Sequence, residues 1–163
     1  MKVRITKGTE NDFMPRLKAL ETAHNAEGIQ NFNSEQINRV DVMGLIEIDG
    51  IGGILYDVMN YDPLRACVQL LHVRKEHRGK GYGRKLVECA SKMIADRGGL
   101  LVGAYCDIGD PTEFWEHMGY NINQTVNYMP MQICDSIDVC FPNSQREAIT
   151  VENFLNHFHG LFQ

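Results

Sequence analysis

Between Arg74 and Lys85 the chain sets Arg74, Lys75, Arg78, Lys80, Arg84 and Lys85 against one acid, Glu76, and interleaves them with Gly79, Gly81 and Gly83. Glycines let the backbone turn tightly and present successive N–H groups, and a following helix adds the positive end of its dipole. Arg78, Lys80 and Arg84 add charge-assisted contacts. Such a turn suits a small polyanion, a pyrophosphate above all. The island carries +5 in a chain whose formal net charge is −5, so the remainder carries −10. Basic charge gathered in one loop argues against nucleic acid, which needs it spread over a face. The plainer alternative is a solvated charged loop.

Spacing separates the phosphate-binding loops that such a segment resembles. A G-x-x-x-x-G-K-[ST] loop is excluded, because no Ser or Thr follows any Gly-Lys here. A G-x-G-x-x-G dinucleotide fingerprint fails at its third glycine, where Arg84 stands, and the loop lies mid-chain and not in a first β-α unit. What remains is R-x-x-G-x-G, formed by Arg78, Gly81 and Gly83.

The elements around the loop are those that would hold it. Ala66 to Val73 is nearly continuous apolar, as for a strand covered on both faces. From Gly83 to Arg97, Leu86, Val87, Ala90, Met93 and Ile94 form an apolar stripe opposite Glu88, Lys92 and Asp96, which predicts a helix on a sheet, ended by Gly98-Gly99. Leu100 to Tyr105 reads as a second buried strand, parallel to the first. Asp110-Pro111-Thr112-Glu113 combines an N-cap, proline at the first helical position and a capping-box acid, and Gly119 can end that short helix.

Upstream, Val3 to Lys7 reads as a strand. Asn11 or Asp12 can cap a helix carrying Phe13, Leu17 and Leu20, His24 to Asn33 is a polar loop, and Ser34 can start a second short helix. Asp49-Gly50 between the apolar runs Val42 to Ile48 and Ile51 to Met59 predicts a hairpin. Downstream, strands are expected around Asn121 to Met131 and Ser136 to Phe141, and a last helix from Val151 to Phe162. The aromatic-rich face of that helix packs on the protein's own core or, alternatively, makes a homodimer interface.

At 163 residues with 44% hydrophobic content, the chain suits one α/β or α+β domain over residues 1–163. The first residues contain no apolar leader, and no run reaches the roughly 18 apolar residues of a membrane span, so the expectation is a cytoplasmic protein with no membrane partner. Cys67, Cys89, Cys106, Cys134 and Cys140 contain no C-x-x-C pair and read as reduced structural thiols. His157 and His159 lack accompanying Cys or carboxylate ligands, so no metal is expected.

Arg78, Gly81 and Gly83 behind a strand ending at Val73, with Phe114-Trp115-Glu116-His117-Met118-Gly119-Tyr120 behind a second strand and a short helix, closely resemble the two signatures of the GNAT acetyltransferases. The resemblance spans Cys67 to Tyr120; Met1 to Asn60 matches only in the order of its elements. It implies a mixed, mostly antiparallel central sheet with splayed parallel strands and flanking helices. Acetyl-coenzyme A is the implied cosubstrate. Its pantetheine lies between the splayed strands on backbone groups of Leu71, His72 and Val73. Its pyrophosphate lies on Arg78, Gly79, Lys80, Gly81, Tyr82, Gly83 and Arg84, and Phe114 flanks the thiol end. A backbone N–H near Val73 would polarise the thioester carbonyl.

The implied reaction is direct acyl transfer to an amine, on a small molecule or a protein. An alkylammonium near pKa ~10.4 must first lose its proton. Cys67 and Gln69 occupy the first-strand positions where relatives carry a glutamate, and neither is a base. Tyr105 and Asp107 are the nearest candidates on the second strand. Trp115 stands where many relatives have the tyrosine that protonates the leaving thiolate, which Tyr105, Tyr120 or Tyr128 would have to replace, although a thiol of pKa ~8.5 also leaves as its anion. From Glu10 to Asp49 eight acids face Arg16, Lys18 and Arg39. That balance suits a cationic acceptor or a solvated acidic face. The rival reading is a coenzyme A-binding module that has lost turnover.

Overall fold

The computed structural model describes residues 1–28, 32–59, 65–97, 101–105, 112–118, 120–123 and 131–134. Their elements, in chain order, are strand β1 (Val3–Lys7), helix α1 (Phe13–Ala26), strands β2 (Met43–Ile48), β3 (Gly52–Met59) and β4 (Arg65–Val73), helix α2 (Tyr82–Asp96), strand β5 (Leu101–Tyr105), helix α3 (Thr112–His117) and strands β6 (Tyr120–Asn123) and β7 (Met131–Cys134). One seven-stranded sheet runs in the order β1-β2-β3-β4-β5-β7-β6. All its pairings are antiparallel except β4 with β5. This is the mixed, mostly antiparallel sheet that the resemblance implies.

Alternation along the strands sorts the core into two layers. Phe13, Leu17 and Leu20 of α1 bury against Met43, Leu45, Leu55 and Leu70 on one face. On the other face Leu86, Val87, Ala90 and Ile94 of α2 are buried, and α2 contacts β2, β3 and β4. The β2–β3 hairpin turns at Asp49-Gly50 as expected, with Gly50 at φ +73°, a left-handed conformation that glycine adopts freely.

Several local expectations are corrected. Helix α1 runs to Ala26, so His24 is helical and not in a polar loop; Asn25 closes the following turn by accepting from Phe32 N at 2.9 Å and donating to Phe32 O at 2.8 Å. Asp12 sits at the N-cap of α1 with no side-chain capping bond. A 3-10 turn spans Ser34–Gln36, but Asn33 caps it by accepting from Glu35 N at 3.0 Å, while the Ser34 hydroxyl donates to Glu21 Oε2 at 2.5 Å. The Asn121 to Met131 region holds parts of two strands, β6 and β7, which pair with each other. Gly98-Gly99, the Asp110-Pro111 cap, Gly119, Tyr128, Ser136 to Phe141 and Val151 to Phe162 lie outside the described residues. Among the described residues no helix is long and apolar enough to cross a membrane.

Candidate functional site

The sheet forks between β4 and β5. Their parallel pairing runs from Arg65 with Leu101 to Val68 with Ala104. Gln69 to Val73 continue beyond it with no β5 partner among the described residues. A bulge accompanies the fork. Against β3, Leu70 pairs with Leu55 and Val68 with Tyr56, so Gln69 is the extra residue. Such an insertion bends a strand and increases its local twist, which turns the end of β4 away from β5.

The open edge of β4 carries specific backbone groups. Arg74 N–H donates to Ile51 O at 2.9 Å, so alternation turns the backbone of His72 toward β3 and the backbones of Leu71 and Val73 toward the open edge. Of the three residues expected there, Leu71 and Val73 have the required direction. The His72 backbone is taken up by β3, and its side chain is 2% exposed. Burial lowers the His72 pKa, with Glu27 acting in the opposite sense. His72 Nδ1 lies 3.4 Å from His24 Nδ1, and its Nε2 lies 3.9 Å from Glu27 Oε1.

After β4, a 3-10 turn at Lys75–His77 leads into the loop and α2. Gly79 and Gly81 adopt φ +72° and +81°, where L side chains are strained, and an added Cβ would meet nothing within 4 Å at either position. Conformation and not crowding therefore calls for glycine at both. None of the N–H groups from Gly79 to Arg84 donates to a backbone carbonyl among the described residues; the first loop-to-helix bond is Lys85 N to Gly81 O, at 3.1 Å. A run of unsatisfied amides at the start of a fifteen-residue helix is an anion cradle. Gly83 meets the second signature: its added Cβ would lie 3.1 Å from Phe114 Cε2 and 4.0 Å from Val73 Cγ2, so α3 seats closely on the start of α2.

The cations have distinct situations. Arg78 donates through Nε to Val73 O at 2.9 Å and through Nη2 to Glu27 Oε2, while Glu27 Oε1 accepts from Lys75 N at 3.1 Å. Arg78 thus braces the loop against the end of α1. Lys80 Nζ donates to Glu76 O at 2.9 Å, and Lys85 Nζ stands 5.7 Å from the centre of the Tyr82 ring. Arg84 is exposed, with no ion pair among the described residues. Reading the loop along the chain does not single out Glu27; its partner is 51 positions away, and nothing local to Glu27 marks it. Replacing Glu27 by Gln removes a half-exposed ion pair of about 1 kcal/mol. Affinity of the loop for a polyanion, probed with coenzyme A, should fall about fivefold by calorimetry.

Tyr105 closes β5 opposite Met131 of β7 and has no β4 partner, which puts its backbone at the fork. Asp107 lies outside the described residues. Trp115 is buried, edge-on to Phe114 at 5.2 Å between ring centres, and Phe114 is partly exposed. A carboxylate that the sequence does not single out lies beside the fork. Asp57 of β3 is 2% exposed, and burial pushes its pKa up to about 6 against the lowering effect of its bonds from Gln69 and Cys67. Its Oδ1 accepts from Cys67 N at 3.1 Å and its Oδ2 from Gln69 Nε2 at 2.6 Å.

A forked sheet with an anion cradle at the foot of the fork suits a ligand that joins phosphates to an extended arm. The acetyltransferase (GNAT) domain family matches residues 40–122, just over half of the chain, and the chain belongs to that family. Solved structures share the fold. The NatC complex bound to Gag peptide and coenzyme A is 14% identical with a TM-score of 0.57, covering 82% of this chain and 96% of that one. The PaiA N-acetyltransferase of Thermoplasma acidophilum, in complex with coenzyme A, is 16% identical with a TM-score of 0.57, covering 82% and 99%. Arabidopsis thaliana Naa50, in complex with the bisubstrate analogue CoA-Ac-MVNAL, is 14% identical with a TM-score of 0.58, covering 82% and 97%. No curated protein matches the sequence significantly.

Proposed function

We propose that this chain transfers the acetyl group of acetyl-coenzyme A directly to an amine within a ternary complex. The observation that carries the reading is the run of open amides from Gly79 to Arg84, set at the foot of the unpaired edge of β4. The pyrophosphate takes those amides, assisted by Lys80 and Arg84. The pantetheine arm runs along β4 on the outward N–H of Val73, whose carbonyl is held by Arg78, and on the outward backbone groups of Leu71. From Val73 back to Gln69 is four residues, about 13 Å of extended strand, a length comparable to that arm. The thioester then reaches the level of the bulge, where the Leu71 N–H is placed to polarise its carbonyl oxygen. The alkylammonium first gives a proton to a base, for which Tyr105 and Asp107 are the candidates. The neutral amine attacks that carbon, the tetrahedral oxyanion collapses, the C–S bond breaks, and the nitrogen releases its second proton to solvent, leaving an amide and a thiolate. Trp115 has no acidic proton to give, so the thiolate leaves as the anion or takes its proton from Tyr105, Tyr120 or Tyr128. The relatives named above include proteins solved with peptide ligands, which supports an acceptor amine on a protein N-terminus or a lysine beside that on a small molecule.

Calorimetric titration of acetyl-coenzyme A tests the binding half, with saturable micromolar-range binding expected. Thiol release from acetyl-coenzyme A with spermidine, benzylamine and a lysine-containing peptide tests the chemical half. Binding with no release on any amine would favour the turnover-deficient module; absence of binding would sink both readings.

A further inference from the structure

We infer that Asp57 is a positioning residue for the acceptor amine: from inside β3 it holds the Gln69 side-chain amide so that Oε1 is presented at the fork as a hydrogen-bond acceptor. The inference rests on the proposed acetyl transfer. Gln69 is the bulge residue and the first residue of β4 beyond its last pairing with β5, so it stands where the thioester arrives. Its side chain is partly exposed, while its Nε2 is bound inward at 2.6 Å.

The chemistry of Asp57 dictates which end of the amide faces out. An ionised carboxylate only accepts, so it must face Nε2, and the planar amide then directs Oε1 away from it. An incoming amine offers N–H to that oxygen and keeps its lone pair for the thioester carbon. A glutamine without this anchor flips freely and presents donor and acceptor alike. No proton transfer to Asp57 or Gln69 is involved.

A purely structural purpose fits Asp57 poorly. Its only partners among the described residues are neutral, the Cys67 amide and the Gln69 side chain, and no cation lies against it. Burying a carboxylate without a countercharge is unfavourable, and a neutral asparagine would satisfy the Cys67 N–H equally well. Groups held at such a cost gather at functional sites.

The test uses Asp57→Asn, Gln69→Ala and the double variant, assayed for thiol release with the fastest of spermidine, benzylamine and a lysine-containing peptide. In Asp57→Asn the amide nitrogen replaces Oδ2, so Gln69 turns its own oxygen inward and its NH2 outward. Each single variant is expected to raise the KM for the amine about tenfold, with the KM for acetyl-coenzyme A and its calorimetric affinity unchanged. The double variant is expected to be no worse than Gln69→Ala. Asp57→Asn is also expected to unfold at a higher temperature than the parent, the opposite of what loss of a structural bond produces. A parental amine KM in either variant, an equal loss for both substrates, or additive losses in the double variant would overturn the inference. Should Asp57→Asn fail to fold, Gln69→Ala alone decides. Thiol release with none of the amines while acetyl-coenzyme A binds would instead remove the acetyl-transfer reading, and this inference with it.

Discussion

Replacing Gly81 by valine is expected to weaken acetyl-coenzyme A binding about a hundredfold while leaving the protein folded. The reasons are conformational. Gly81 holds φ +81°, and an added Cβ would touch nothing within 4 Å, so the core is not disturbed. A left-handed L residue is strained by roughly 1–2 kcal/mol, and a β-branched one by more. Relief comes by rotating to negative φ, which swings the Gly81 and Tyr82 amides out of the cradle. A hydrogen bond to a charged group contributes about 1.5–3 kcal/mol. Losing one such bond and restraining the loop together come to about 3 kcal/mol, or a hundredfold in affinity. Calorimetry reads the affinity, and circular dichroism confirms the fold. Unchanged affinity would place the pyrophosphate elsewhere. Gly83→Leu would not serve as well, because its Cβ presses on Phe114 and mixes packing with binding.

The second large effect concerns stability and pH. Asp57 has its pKa raised from 3.8 to about 6, mainly by burial. Between these values the folded state binds more protons at this site than the unfolded chain does. Its contribution to stability is therefore fully present below about pH 4 and is lost as pH rises to about 6, staying low above. The difference amounts to about 3 kcal/mol at neutral pH. His72 acts in the opposite sense: its pKa is lowered in the fold, so stability is lost as pH falls through the ordinary imidazole range. The two overlap in the raw curve, and the difference between the parent and Asp57→Asn isolates the carboxylate. Urea unfolding should find the variant about 3 kcal/mol more stable at pH 7.5 and the gap closing toward pH 4. A gap that is constant with pH, or a variant less stable at neutral pH, would mean that the carboxylate is well accommodated after all.

Much of this protein is legible in its sequence. The R-x-x-G-x-G loop can be read because an anion cradle is built from contiguous residues: two glycines in left-handed conformation, the amides they expose, and the first turn of the next helix. The β2–β3 hairpin shows itself through Asp49-Gly50, again a local matter of backbone conformation. The central strands and α2 follow from hydrophobic period, which depends on residues at most a few positions apart. The end of α1 is harder to place, because His24, polar in sequence, packs edge-on to His72 of β4 at 5.4 Å between rings, a contact 48 positions distant.

What the chain does not disclose by spacing is how those parts meet. Glu27 braces Arg78 only because the end of α1 comes beside the loop after β4. Asp57 and Gln69 come together across the β3–β4 ladder, beside the point where β4 carries one residue too many, and a strand of alternating character gives no sign of where the extra residue falls. The tertiary fold decides these pairings, since register and layer packing are set by the whole sheet at once, whereas the loop that marks the family is set by a dozen neighbours along the chain.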